Sequence, residues 1–420
     1  MSQTPSATAP APLGATPAEV AQPVHDTPAQ LRRLRLVVVA SGLVLAILGT
    51  TAMALLTLTL RQSADDVEQL VRVQTIETDL LVADANATNT FLVGGLESPQ
   101  RRAAYDDALA EVAGLVSQAA RAQPADADAL AALNAHVLDY AGLVEAARAN
   151  NRQGLPVGAQ YLRQASNGLR ADALPVADAL VQANTERATS SLTTAWGWVL
   201  PTLALGATVV FVVVQVRVAR QFKRRINAGL LTGSLVLAGL ALVSLVALAA
   251  LAASVSSARS DFEDVSDVGT ARVQGNLAKS SESLTLVARG SGTAYEDSWQ
   301  ASSAEVTDRL SGIRDASVLT DEWTAYARVH TKIRSLDDGG AWDNAVALAV
   351  GSDAGSSNAA FAPFDQAVAS FVAGMGTSAV DSLRSHQTGL VAGCVLTFLA
   401  GLGAAWSGSR GIADRLKEYR

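Results

Sequence analysis

The residues that would first be asked to carry catalysis or a metal are four histidines, His25, His136, His330 and His386, and one cysteine, Cys394. No histidine stands in an H-E-x-x-H spacing, and one cysteine makes no Cys cluster, so the sequence offers no zinc site. A phosphate-cradling glycine loop and a G-x-S-x-G nucleophile elbow are also missing. His330 lies on a helical seam between Tyr326 and Ile333, where it reads as a core or boundary histidine before a proton sensor. Carboxylate pairs such as Asp65-Asp66, Asp106-Asp107 and Asp337-Asp338 read as solvated helix faces and loop ends. No catalytic, cofactor-binding or metal-ligating residue is therefore assigned, and a non-enzymatic protein is expected.

Two kinds of polar cluster remain. Arg217, Arg220, Lys223, Arg224 and Arg225 fill one short central loop, and Arg410, Arg415 and Lys417 lie near the C-terminal end. Such groups fix topology and attract anionic membrane lipid. Docking of a soluble partner is compatible with both. The second kind, Asn150-Asn151-Arg152-Gln153, is a hydrophilic turn that could also hold an amide or carboxylate group.

The elements that position these clusters are four apolar runs. The chain has 420 residues, 49% hydrophobic, with a formal net charge of −7. The excess apolarity is concentrated in residues 36–60, 195–216, 229–253 and 388–408, which hold no Asp, Glu, Lys, Arg or His. Each run is long enough to cross a bilayer as a helix, for which about 20 apolar residues are needed. Spans without ionisable groups argue against a pump or proton-coupled transporter. The first run is longer than a secretory h-region, typically about 7–15 residues, and reads as a signal anchor.

Charge sorts along the same division. Residues 61–191 carry 17 acidic and 10 basic side chains, and residues 254–387 carry 18 and 10. Basic residues flank all four runs on one side, beginning with Arg32, Arg33 and Arg35. The positive-inside rule then places both termini in the cytoplasm, in a multi-pass protein of the cell membrane. Because the basic clusters are juxtamembrane, a nucleic-acid partner is not expected. Cys394 falls within the fourth run, so neither outer segment can hold a disulfide.

The organisation expected in chain order is a proline-rich, disordered cytoplasmic N-terminus (1–30), a first span (36–60), an extracytoplasmic helical bundle (61–191), a second span (195–216), the cytoplasmic basic loop (217–228), a third span (229–253), a second bundle (254–387), a fourth span (388–408) and a cytoplasmic tail (409–420). Within 61–191, Val73, Ile76, Leu80, Ala83, Ala87 and Thr90 step by three and four, as do Leu130, Leu133, Val137, Tyr140 and Val144. Breaks fall at Gly94-Gly95, at Pro124 and at 150–154. Four helices with no strand pattern make a four-helix bundle continuous with its spans. The second half repeats the plan, with Leu277, Leu284 and Val287 on its first seam, Trp299, Val306, Leu310 and Ile313 on its second, and Trp323, Tyr326, His330 and Ile333 on its third.

The halves align at shared offsets. Tyr105 and Ala110-Glu111-Val112 match Trp299 and Ala304-Glu305-Val306. Val137, Tyr140, Gly154 and Ser166 match Trp323, Tyr326, Gly340 and Ser352 at a second offset, and Pro175 answers Pro363. Each unit holds two spans, so the repeat is parallel rather than inverted. The fold expected is thus an all-α membrane protein, with four transmembrane helices and two tandem extracytoplasmic four-helix bundles. Gly229-x-x-x-Gly233 and Gly389-x-x-x-Gly393 suit close helix approach, either within the chain or in a homodimer.

The order span, bundle, span resembles the ligand-binding module of bacterial chemoreceptors and sensor kinases, carried by TNTFLVGGLESPQRRAAYDDALAEV and EWTAYARVHTKIRSLDDGGAWDNAVALA. The tandem form, with ANNRQGLPVGAQYLRQAS in the first half, is similar to the GlnX-like glutamine-sensing membrane proteins of actinobacteria. That resemblance implies a link between an extracytoplasmic solute-binding lipoprotein and a cytoplasmic Ser/Thr protein kinase. It departs from chemoreceptors and sensor kinases in having only 409–420 after the fourth span. A transmembrane signal transducer is expected, with a transport or channel subunit, or an envelope scaffold, as the alternative.

Overall fold

The computed structural model describes residues 27–93, 99–191, 195–222, 227–313, 316–385 and 387–417. Among these the only regular secondary structure is helical, with no strand. Helix α1 (Thr27–Val44) passes through a π-helical turn at Leu45–Gly49 into α2 (Thr50–Val93). The first half continues with α3 (Pro99–Ala122), α4 (Ala127–Arg152), α5 (Val157–Gly168) and α6 (Leu174–Ser191), the last two joined by a second π-helical turn, Leu169–Ala173. Helix α7 (Val199–Phe222) leads to α8 (Ala228–Val287). Then follow α9 (Thr293–Ser311), α10 (Ser317–Asp338), α11 (Trp342–Val350), α12 (Ser357–Ser385) and α13 (Gln387–Lys417). Helix α1 already includes Thr27–Gln30, within the stretch expected to be disordered; residues 1–26 lie outside the described residues.

Four helices are long and apolar enough to cross a membrane: Ala29–Val93, Val199–Arg220, Ala228–Val287 and Thr388–Asp414. They contain the runs read from the sequence, except that the second begins at Val199 rather than 195, because Ala195–Trp198 forms a 3-10 turn. Two of them far exceed a bilayer. At about 1.5 Å per residue, α8 alone is roughly 90 Å long. Most of the large apolar side chains left exposed, such as Leu36, Leu58, Leu205, Leu242 and Leu399, lie on these runs, as lipid-facing positions should. Their inner faces share a core of Leu31, Val38, Leu45, Phe211, Leu230, Leu237 and Ile412. Small residues bring the helices close. A Cβ added to Gly401 would lie 2.7 Å from Ala46 Cβ and from the Gly42 carbonyl oxygen. Gly229 packs against Ser407 and Gly411, so the first of the two small-residue motifs is used within the chain, whereas Gly389 has nothing within 4 Å.

Beyond the spans, α2, α3, α4 and the α5–α6 pair share one core. All the seam residues from Val73 to Ala87 and from Leu130 to Val144 are buried in it. The helix breaks are where the chain turns: Gly154 and Gly340 both have positive φ, +68° and +78°, a region open to glycine at little cost. In the second half α8, α9, α10 and α12 surround Trp299, Val306, Trp323, Tyr326 and Phe364. The α8 seam differs from expectation. Leu277 is only half-buried, while Ala271, Ala278, Lys279 and Glu282 point inward. The reason lies across the molecule. Helices α2 and α8 pack against each other along a polar face, with Asp79, Asp84, Thr88 and Asn89 on one helix and Asn276, Lys279, Ser280 and Ser283 on the other, all buried.

Candidate functional site

Polar side chains are buried only at a cost unless each finds partners, and the long helices bury many. Asp84, fully buried on α2, accepts hydrogen bonds from Tyr140 Oη at 3.4 Å and Ser166 Oγ at 2.5 Å within its own half. It also accepts one from Ser280 Oγ of α8, and Arg170 Nη2 stands 3.7 Å from Oδ2. Arg170 in turn donates to Ser280 at 2.8 Å. One carboxylate thus ties α4, α5 and the following π-helical turn to the other half.

Glu282 does corresponding work on α8. It accepts from Lys279 Nζ at 2.8 Å and Ser357 Oγ at 2.6 Å, and His330 Nδ1 lies 3.1 Å from its other oxygen. Burial works to raise its pKa, but the Lys279 ammonium and then His330 outweigh that and hold the carboxyl at about 2. For His330 burial works downward, but Glu282 on one ring nitrogen and Glu296, 3.3 Å from the other, raise it. Its ring stacks on Trp299 with centroids 3.6 Å apart. His330 is therefore a core histidine, as the seam implied, but one held between two carboxylates, which periodicity could not disclose.

The aromatic pairs aligned in the sequence have matching geometry. Tyr105 and Tyr140 lie 6.4 Å apart at 43°, and Trp299 and Tyr326 lie 6.4 Å apart at 50°. Each tyrosine on the third helix of its half sits near the buried carboxylate of the first, Asp84 or Glu282.

Two concave sites lie toward the ends of the long helices farthest from the apolar runs. A 230 Å³ pocket is lined by Thr90, Arg102, Arg148, Asn151 and Arg152. Arg102 pairs with Glu145 at 3.0 Å, and the Arg148 guanidinium lies 4.1 Å from the Tyr105 ring centre. Two members of the polar turn, Asn151 and Arg152, are thus brought to a pocket, whereas Asn150 and Gln153 donate back to main-chain oxygens of Ala146 and Ala149. A second cleft, of 500 Å³, opens between the halves, with walls from α2, α3, α8 and α12. Sequence reasoning missed it because its residues are scattered from Val82 to Gln366; the one available signal was the density of amides near the seams.

At the opposite end, Arg217 and Arg220 are exposed on the last turns of α7, and Arg410 is exposed on α13, its guanidinium 5.3 Å from the Trp406 ring centre. Lys223, Arg224 and Arg225 lie outside the described residues. Arg415 and Lys417 belong to α13. Asn227 caps α8 and also donates to the Gly411 carbonyl at 2.8 Å, which joins the basic turn to the α13 end. Among the described residues no group of His, Cys, Asp and Glu could hold a metal ion.

No curated protein and no solved structure matches the chain. Residues 59–193 match the family model of the actinobacterial sensor domain, so from the outer part of α2 through α6 the chain is similar to sensor proteins of the actinobacterial type.

Proposed function

We propose that the protein is a non-enzymatic transmembrane sensor, with its two helical halves outside the cell membrane as a parallel tandem repeat and both termini in the cytoplasm. The observation that carries this is the continuity of α2 and α8, which run from the membrane-crossing stretches to the distal clefts without a break. A ligand that favours one packing of α2 against α8 would shift both helices at their far ends, where the basic turn and α13 meet. The similarity of 59–193 to a sensor domain and the acidic balance of both halves support the same view. The signal is a nutrient, delivered by a solute-binding lipoprotein as in GlnX-like proteins, and the inner surface formed by Arg217, Arg220, Lys223, Arg224, Arg225, Arg410, Arg415 and Lys417 docks a soluble Ser/Thr kinase as well as anionic lipid.

The test is cross-linking in intact cells. Wild type should capture a kinase on its inner side. Replacing the five basic residues of the turn with serine and deleting 410–420 should abolish that capture, with cysteines at the exposed positions 131 and 320 still labelled from outside. Undiminished capture, or labelling of a cysteine at Lys223 from outside, overturns the proposal.

A further inference from the structure

Between the spans lies an apolar cavity of 490 Å³, within the range of about 300–1,000 Å³ usual for small-molecule sites. The spans close on one another where Gly229 meets Ser407 and Gly401 meets Ala46, but toward the helical halves they part, and Gly389 has nothing within 4 Å. Leu240, Val243 and Ala247 of α8 form one wall, and Gly389, Ala392 and Leu396 of α13 form another. Met53 and Leu56 of α2 and Leu200 of α7 complete it. Val243, Ala247, Ala392 and Leu396 are exposed, so the mouth opens sideways toward lipid.

Among the described residues the lining holds no ionisable side chain and three hydroxyls. Ser244 and Ser385 donate theirs to the main-chain oxygens of Ala241 and Ser382. Thr397 does not: its Oγ1 is buried without a hydrogen-bond partner, in a residue only 1% exposed. By contrast Thr51, Thr57, Thr202, Thr208 and Thr232 each donate to the preceding turn of their own helix. Thr397 stands nine residues beyond Thr388, where the fourth run begins. That is about 14 Å along the axis, near the middle of a hydrocarbon core about 30 Å thick. Bulk water does not reach that depth to satisfy a polar group. The Thr397 methyl is the side turned to α2, since a Cβ on Gly49 would lie 3.0 Å from it. The hydroxyl is left to the cavity.

The depth and the lone donor choose among occupants. A helix 10–12 Å across would fill the cavity with about one turn, too little to seat a second copy. A phospholipid tail suits the walls but brings only methylene groups to Thr397, because its ester oxygens stay near the headgroups. An alcohol would pair with Thr397 and leave one of the two O–H groups without an acceptor. A carbonyl oxygen takes the one proton offered and needs no other partner. We infer that the cavity between α2, α7, α8 and α13 binds a lipid-soluble carbonyl compound, of the long-chain ketone or quinone class. Its oxygen accepts from Thr397 Oγ1, and its hydrocarbon body lies along Leu240, Val243 and Leu396. An occupant braces the spans at the end where they part. The inference stands on the spans alone and goes beyond the sensor proposal.

The experiment uses the full-length chain in lipid nanodiscs with dodecylbenzophenone, a long-chain ketone that attaches to neighbouring C–H bonds on illumination. Peptide mass spectrometry maps the labelled residues. Labelling at Met53, on the cavity wall, should saturate with probe, whereas labelling at the exposed Leu205 should rise in proportion to it. The methyl ketone tetradecanone should displace the probe from Met53 about tenfold more readily than tetradecane does. Thr397→Val keeps the side-chain shape and removes the hydroxyl, so it should erase that preference without lowering the melting temperature. Ala392→Trp, at the exposed mouth, should remove the saturable labelling and keep the wild-type helical spectrum. Equal displacement by tetradecane would mean a groove filled by any hydrocarbon tail. A particle of doubled mass with Met53 shielded would mean a second copy. Either result, labelling at Met53 that does not saturate, or a ketone preference that survives Thr397→Val overturns the site. Those results leave the sensor proposal standing, since kinase capture decides that separately.

Discussion

Asn227 donates its side-chain N–H to the main-chain oxygen of Gly411 at 2.8 Å, while its Oδ1 accepts from the main-chain nitrogens of Gly229 at 3.1 Å and Leu230 at 3.3 Å. One buried amide therefore starts α8 and fastens α13 to it. Asn227→Ala should cost about 1 kcal/mol for the lost helix cap and more for the orphaned Gly411 oxygen. Asn227→Asp keeps the cap acceptor but turns a carboxylate oxygen on the Gly411 carbonyl, and should cost at least as much. Gly411→Ala should resemble Asn227→Ala, because its new Cβ would run into Asn227. Melting of the full chain in nanodiscs, followed by far-UV circular dichroism, checks the order.

Asp84 joins Tyr140 and Ser166 of its own half to Ser280 of the other. Asp84→Ala should lower stability by about 3 kcal/mol, the usual cost of removing one member of a buried charged cluster. It should also raise hydrogen exchange on both α2 and α8. Exchange confined to the first half would mean that the contact across the halves carries no stability.

Asp79 should make stability depend on pH. Burial, then the Glu111 carboxylate and more weakly Asp365, push its pKa up to about 7, against the pull of Arg272. A raised carboxyl contributes stability that is full below its unfolded pKa and is lost as pH rises through about 7. Wild type should therefore weaken between pH 5 and pH 8 by more than Asp79→Asn does, with the difference reaching at most about 3 kcal/mol. Parallel curves for the two proteins would refute the shift.

Gly401 and Gly389 should respond differently to the same substitution. Gly401→Leu must push the first and last spans apart, because its Cβ meets Ala46 and Gly42. Gly389→Leu meets nothing within 4 Å and should be tolerated. If Gly389→Leu changes the mass of the nanodisc-embedded particle, that face pairs two copies of the chain.

What could be read in advance follows from the range of each signal. Leu130, Leu133, Val137, Tyr140 and Val144 are buried as their spacing required, because an apolar stripe is local. The turns at Gly154 and Gly340 were legible for the same reason. Helix α11 was not: Trp342–Val350 is short and lies between glycines at 340 and 351, and the matching stretch of the first half runs on through a π-helical turn instead. Lys279 and Glu282 escaped because a periodicity argument assigns charges to the surface. Their partners Ser357 and His330 lie 78 and 48 residues away, and Asp84 meets Ser280 at a separation of 196. Only Asn151 and Arg152 of the polar turn reach a pocket, because the other two spend their amides on the preceding turn of helix.

The wide turn at Leu45–Gly49 holds one residue more than an α-helical path needs. Each residue advances the azimuth by about 100°, so α1 and α2 are out of phase although they form one rod. A single helical wheel drawn from 29 to 93 cannot align the stripe that packs on α13 with the stripe that packs on α8. Deleting one residue there would let an α-helical ladder run through and leave the contacts on either side in place, whereas deleting one elsewhere in the rod would turn every contact beyond it by about 100°. Any twist of α2 would reach α1 only across this built-in change of phase.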